Sequence, residues 1–380
     1  MKIIKGGVCT PKGFLANGVS SGIKRSGKLD LGVIVSEVPA VVAGVFTKSS
    51  IKAAPLIVSM KHIKKGSGRA VVANSGNANC FTGPAGLRYA QGTAEAVAGF
   101  LGVGPADVLV TSTGIIGKTL PYNKIIDALP ALLKGVGSKG GGNFARAIMT
   151  TDLKVKECAV SLVIGGKKVS VGGCAKGSGM IEPNMATMLG FITTDASISL
   201  KMLKLALKRA TERSFNSITV DGCMSTNDMV TVQANGLAAN TKITAQGADF
   251  KKFYGALEFV CVDLAKQIVL DGEGATKFIA VHVKGAADGP QARTIAKTIA
   301  NSPLVKTAAF GSNPNWGRVA AAVGSLGIAR INENSMKITF SPFDKKEISI
   351  GVELSLGRAE ATVYTCDLSL EYVRINGEYN

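Results

Sequence analysis

Histidine is nearly missing from this 380-residue chain: there are two, His62 and His282. A multi-histidine metal site is thereby excluded in practice, and a Ser–His–Asp triad would have to use one of these two. His282 sits in the alternating run Phe278–Val283 and His62 in a basic stretch, and both are expected to be structural. There is one tryptophan, and no basic run is interleaved with aromatics of the kind that stacks nucleobases. The seven cysteines are scattered, odd in number and never spaced C-x-x-C, which argues against a disulfide framework or a thiolate zinc site and favours a reducing compartment. No apolar run approaches the roughly 20 residues that a bilayer span needs, and no signal-peptide core follows Met1, so a cytoplasmic protein away from the membrane is expected.

What the chain has is a large apolar fraction, 46%, with 18% charged residues and a mean hydropathy of +0.25. That composition suits a globular chain with a substantial core. The net charge is +18 and uneven: residues 1–186 hold 23 Lys and Arg against 8 Asp and Glu. Because these lysines are dispersed, a small anionic substrate fits better than nucleic acid.

Short β-branched runs bounded by Gly, Pro, Asn or Ser predict strands at Leu31–Glu37, Val42–Thr47, Leu56–Ser59, Ala70–Ala73, Val108–Thr111, Cys158–Ile164, Met188–Thr194, Val230–Ala234, Lys277–Val283, Met336–Phe340 and Ala361–Leu368. Helical spacing predicts helices at Ala90–Leu101, Tyr122–Leu133, Leu200–Arg213 and Phe250–Leu270. The alternation implies an α/β fold of mixed sheets flanked by helices. The segment Gly135–Gly142 reads as a flexible loop. Gly114–Thr119 ends in Gly-Lys-Thr, but the glycine that a phosphate loop needs five residues earlier is Ser112, so nucleotide binding is not expected.

With both histidines read as structural, a nucleophilic enzyme needs another base. Residues 172–190 suggest one: a Gly-rich loop passes Lys176, Pro183 and Asn184 stiffen the chain, and Ala186 precedes Thr187 and an apolar run. If Thr187 Oγ attacks the Ala186 carbonyl, the resulting ester can be opened by water. This frees an α-amine of reference pKa about 7.7–8.0 that can serve as base for its own hydroxyl. Read alone, the segment leaves open that Thr187 merely begins a strand.

The string Lys176-Gly-Ser-Gly-Met-Ile-Glu-Pro-Asn-Met-Ala-Thr-Met-Leu189 closely resembles the self-processing motif of the ornithine acetyltransferase (glutamate N-acetyltransferase) family of arginine biosynthesis. Collinear matches run from about residue 6 to the C-terminus. They include Gly13–Val19, Ala43–Lys48, Ala53–Pro55, Asn74–Asn79, Ser112–Gly117, Ile148–Asp152, Ser214–Asp221, Ser225–Asp228, Asp271–Lys277 and Asn313–Arg318.

The resemblance implies a layered α/β sandwich, with cleavage of Ala186–Thr187 into an α chain (1–186) and a β chain (187–380) that stay together as an α2β2 assembly. It implies Thr187 as nucleophile, Thr113 and Gly114 as oxyanion hole, and Thr150, Lys176, Thr187, Glu273 and Asn376 as substrate-binding positions. The implied reaction carries acetyl from N-acetylornithine to glutamate, giving ornithine and N-acetylglutamate, with no cofactor and with acetyl-CoA as a further candidate donor. An aminopeptidase or amidase on a related self-cleaving fold, and a non-catalytic basic binding protein, remain the alternatives. The resemblance departs at Cys80, where Ala is common in the family. It departs again at the C-terminus, where the family's usual hydroxyl residue five positions past Asn376 has no counterpart.

Overall fold

The computed structural model describes residues 1–182 and 188–378, and the chain divides into two compact units. The first comprises Met1–Gly177, residues 188–216 and Met224–Ala265. Its nine strands among the described residues are β1 (Lys2–Ile4), β2 (Phe14–Val19), β3 (Leu31–Phe46), β4 (Ser67–Asn77), β5 (Val108–Ile115), β6 (Lys156–Ile164), β7 (Lys167–Lys176), β8 (Leu189–Thr194) and β9 (Met229–Ala234). They form one mixed sheet in the order β1-β6-β7-β8-β9-β3-β4-β5, with β2 paired to β3. Only the β4–β5 and β8–β9 pairs are parallel.

Strand β3 shows why the sheet is layered on both faces. Residues 31–36 are all buried, so the polar-out alternation of a one-sided strand is absent. Their side chains still alternate in direction. Leu31, Val33 and Val35 pack with α1 (Ala54–His62), α2 (Gly83–Leu101) and α3 (Tyr122–Lys134), through Val58, Ala94, Val97, Ile125 and Leu129. Ile34 faces the other way, into a cluster with Phe144 and Ile148 around α4 (Gly141–Ala147) and with Leu189 and Phe191 of β8. The remaining helices assigned mainly to this unit are α5 (Leu200–Arg213), capped by the Ser199 hydroxyl, and α6 (Ala248–Leu270).

The second unit comprises Ser178–Glu182, Ser217–Cys223 and residues 266–378. Strands β10 (Phe278–Ala286), β11 (Met336–Phe340), β12 (Glu347–Leu354) and β13 (Ala359–Cys366) form a four-stranded sheet in the order β11-β12-β10-β13. Here alternation holds. Ile279, Val281 and Val283 are buried against Ile295 and Ile299 of α7 (Gly289–Asn301), while Ala280 and His282 between them are partly open. Helices α8 (Pro303–Phe310) and α9 (Trp316–Gly324) follow, capped by Ser302 and Asn315, and α10 (Leu370–Glu378) ends the described chain.

Three sequence expectations need correction. Residues 172–176, read as the Gly-rich loop that passes Lys176, are the end of strand β7, held by pairing with both β6 and β8. Leu56–Ser59, expected as a strand, lies in helix α1. Pro55 occupies the first turn, where its missing N–H costs nothing, and the Ser59 hydroxyl seats the helix on β5 by donating to Val110 O (2.6 Å) and accepting from Val110 N (2.8 Å). Gly135–Gly142 is tied down: Ala16 and Gly137 exchange backbone hydrogen bonds at 3.1 Å, and a Cβ on Gly140 would lie 1.8 Å from Ala16 O. Gly140 serves this close backbone approach, and α4 begins at Gly141.

Phe144 anchors one layer, fully buried and edge-on to Phe191 with ring centroids 5.0 Å apart. Phe144→Ala is expected to cost about 3–5 kcal/mol, measured by urea unfolding of the transition that reports the nine-stranded sheet. A cost under about 1 kcal/mol would contradict this packing account.

Candidate active site

In the first unit the site is built on the paired ends of β4 and β5. Gly114 has φ +127° and pairs with Gly76, whose φ is +95°. A Cβ on Gly114 would lie 2.5 Å from the Gly76 carbonyl carbon and 2.6 Å from Asn77 N, both backbone atoms that cannot swing aside. Only glycine fits. The register slips here, so that Asn77 pairs with both Thr113 and Ile115.

Asparagines brace this turn. Ser112 Oγ donates to Asn74 Oδ1 (2.5 Å), and Asn74 Nδ2 donates to Asn77 O (2.9 Å). Asn227 Nδ2 donates to Ala78 O (2.6 Å) and Ser112 O (2.8 Å). The strings Asn74–Asn79, Ser112–Gly117 and Ser225–Asp228 therefore meet as one scaffold. Asn77 Nδ2 also donates to the carbonyls of Lys118 and Thr119, which fixes the Gly-Lys-Thr segment as a brace of this turn.

Thr113 is buried, and its Oγ1 lies 3.3 Å from Lys176 Nζ. An ammonium only donates, so the threonine oxygen accepts and its own hydrogen is left to donate elsewhere. Lys176, also buried, ends β7 and pairs with Leu189, the first residue of β8. Thr187 and Ala186 lie outside the described residues. Leu189 is two residues beyond Thr187 in sequence.

Asp152 organises the cationic side. Its Oδ1 accepts from Lys156 Nζ (2.8 Å) and Gly177 N (2.7 Å), and its Oδ2 accepts from Thr150 N (2.9 Å). Burial would raise the carboxyl, but Lys176 and Lys156 outweigh it and hold Asp152 well below the usual carboxylate range. Thr150 thus meets this network through its backbone, and Lys176 through charge. Asp152 stood in the motif Ile148–Asp152 without a role, and Lys156 escaped notice. Their spacing of four residues pairs them outside any helix, where it carries no sequence signal.

In the second unit Glu273 is buried, and its Oε2 accepts from Asn376 Nδ2 (2.9 Å). Its backbone N–H donates to Ser178 O (2.9 Å), and a Cβ on Gly179 would lie 2.2 Å from its carboxylate oxygen, so glycine at 179 makes room for the acid. Residues Met180–Glu182 are clamped by Asp221, which accepts from Met180 N (2.6 Å) and Ile181 N (2.9 Å), and by backbone bonds Val220 N to Ile181 O (2.7 Å) and Glu182 N to Cys223 O (2.9 Å). Tyr372 Oη also reaches Asp221, at 3.3 Å. Asp221 had been read only as the end of a motif; as the acceptor that holds Met180 and Ile181 it is new.

The two histidines bond elsewhere. His62 Nδ1 meets Val108 O (2.8 Å), at the far end of β5 from Thr113, and His282 Nδ1 meets Thr362 Oγ1 (3.0 Å). All seven cysteines are free, and no helix among the described residues is long and apolar enough to cross a membrane.

The profile of the ArgJ family matches residues 15–344 and 341–380. The chain is 45% identical over 400 residues to the arginine biosynthesis bifunctional protein ArgJ of Symbiobacterium thermophilum, covering 100% of both chains. It is 46% identical over 400 residues to that of Streptococcus thermophilus, again with full coverage of both. Among solved structures, ornithine acetyltransferase from Mycobacterium tuberculosis complexed with ornithine is 40% identical. That match covers 49% of this chain and 97% of the other at a TM-score of 0.46.

Asp152→Asn removes the counter-charge of two buried ammonium groups and is expected to destabilise the protein by about 3–5 kcal/mol. The sign with pH is fixed by the depressed carboxyl. The stabilisation is present above its ordinary unfolded value of about 3.9 and is lost as pH falls through the lower folded value. Thermal unfolding from pH 7 down to pH 2 should therefore show a loss in wild type that the variant lacks. Parallel curves for the two proteins would contradict the assignment.

Proposed function

This chain belongs to the ArgJ family, and from that membership we infer that it is a glutamate N-acetyltransferase of arginine biosynthesis, carrying acetyl from N2-acetylornithine to glutamate through an ester on Thr187. Acetyl-CoA serves as the second donor of a bifunctional enzyme. Cleavage of the Ala186–Thr187 bond gives an α fragment (1–186) and a β fragment (187–380), which stay together as an α2β2 assembly in the cytoplasm.

The freed Thr187 amine takes the proton of its own hydroxyl, directly or through a water, and Oγ attacks the acetyl carbonyl of N-acetylornithine. The developing oxyanion is held by the Thr113 hydroxyl and the Gly114 N–H, donors fixed before the reaction begins. Ornithine leaves with the returned proton. The amine of glutamate then attacks the ester, which regenerates Thr187 and releases N-acetylglutamate. Lys176 pairs with the substrate carboxylate, Thr150 lines the same network, and Glu273 with Asn376 receives the substrate's cationic amine. No cofactor takes part.

The single observation that carries this reading is the Thr113–Lys176 contact. Because Lys176 supplies a hydrogen to the threonine oxygen, the Thr113 hydroxyl is oriented to give its own hydrogen away.

Intact-mass analysis is expected to show wild type as two fragments divided before Thr187 and Thr187→Ala as one uncut chain. Wild type that turns over while uncut would sink the N-terminal nucleophile. Thr113→Val should lower kcat for acetyl exchange by roughly 10²–10³, about 2.7–4 kcal/mol, with cleavage followed separately on a gel. A variant within twofold of wild type in kcat would remove Thr113 from the oxyanion hole.

A further inference from the structure

One more cation belongs to the Gly76–Gly114 turn. Asp30, fully buried, gathers the loop before β3: its Oδ1 accepts from Ser21 N (2.6 Å) and Ser21 Oγ (2.8 Å), and its Oδ2 accepts from Lys24 N (2.9 Å). The loop is thereby fixed with Lys24 Cγ 3.1 Å from where a Cβ on Gly76 would stand. Gly76 is the partner of Gly114, so Lys24 lies over the turn that presents Thr113. Its Nζ donates to Leu29 O (2.8 Å), which occupies one of three ammonium hydrogens. A tie of that kind needs only a neutral donor. A half-buried ammonium in the field of Lys176 is costly to keep, and burial, then Lys176 and Lys28, against Asp30 and Asp152, bring it down to about 8.

The two amino acids of the proposed reaction share an α-carboxylate, for which one cation, Lys176, suffices. They differ at the end of the side chain, where glutamate carries a second carboxylate and ornithine an ammonium. A second cation on the same turn answers the part that is not shared. We propose that Lys24 is a specificity-determining residue that receives the side-chain carboxylate of the acceptor amino acid over the Gly76–Gly114 turn. The proposal deepens the acetyl-transfer reading above and rests on it.

Ping-pong kinetics separate the two substrates, so the Michaelis constants for glutamate and N-acetylornithine are measured for wild type, Lys24→Gln and Lys24→Arg. Glutamine at 24 can still donate to Leu29 O, which keeps the loop closed, and arginine keeps the charge. Lys24→Gln is expected to raise KM for glutamate at least about tenfold, the ordinary loss for one charge-assisted hydrogen bond. KM for N-acetylornithine should stay within about twofold, and Lys24→Arg should keep most of the affinity for glutamate. Equal changes in both constants, or none, would overturn the role of Lys24 while leaving acetyl transfer intact. Wild type that exchanges no acetyl between the two substrates would overturn the underlying function and this inference with it.

Discussion

The closeness of two backbones, at Gly76 and Gly114, is the constraint on which the site depends. Parallel strands ordinarily keep side chains between themselves and whatever crosses their ends. Here neither residue has one, and any Cβ at 114 would collide with main-chain atoms of Gly76 and Asn77. The approach slips the register, gives Asn77 two partners on β5 and leaves Thr113 buried with its oxygen toward Lys176. Asn74, Asn77 and Asn227 then satisfy the carbonyls that a distorted ladder leaves behind. Hydrogen-bond donors held this way need no reorganisation when charge develops near them, which suits the oxyanion role proposed for Thr113 and Gly114.

The excess positive charge of residues 1–186 has a local counterpart. Lys156, Lys176 and Lys24 share the field of Asp152, a carboxylate kept ionised by the first two. Burying several ammonium groups around one acid is expensive for stability. An arrangement that leaves net positive charge beside the Gly76–Gly114 turn suits a substrate that brings its own carboxylates. In the other unit the sign reverses: Glu273 and Asp221 are the organising groups, and Asp221 spends its acceptors on the backbone of Met180–Ile181.

Much of the frame was legible in the sequence, because β-branched runs and helical spacing survive translation into structure. The strand at Cys158–Ile164 and the helix Leu200–Arg213 stand where the pattern put them. Leu56–Ser59 deceived because a short apolar run has no period of its own, and packing against Val110 decided it as helix. Strand β7 was missed, since Val171-Gly-Gly-Cys174 looks like loop until its pairing with β6 and β8 is known. Thr113, Gly114, Lys176, Glu273 and Asn376 were reached through resemblance rather than from spacing. Asp152's pairing with Lys156 could not be read because a four-residue spacing outside a helix predicts no contact, and Lys24's place over Gly76 depends on a loop folded against a distant strand. The asparagine-rich strings were visible as signatures, but their work as braces became apparent only from their carbonyl partners.

The central claim is that acetyl rests on the hydroxyl of Thr187 between donor and acceptor. Incubation with N-acetylornithine alone, acid quenching and mass analysis of the fragments with peptide mapping test it most directly. The account predicts one acetyl group on the fragment that begins at Thr187, located on that residue and discharged when glutamate is added. Acetyl carried by any other residue, or an enzyme that turns over without ever holding acetyl, would contradict it.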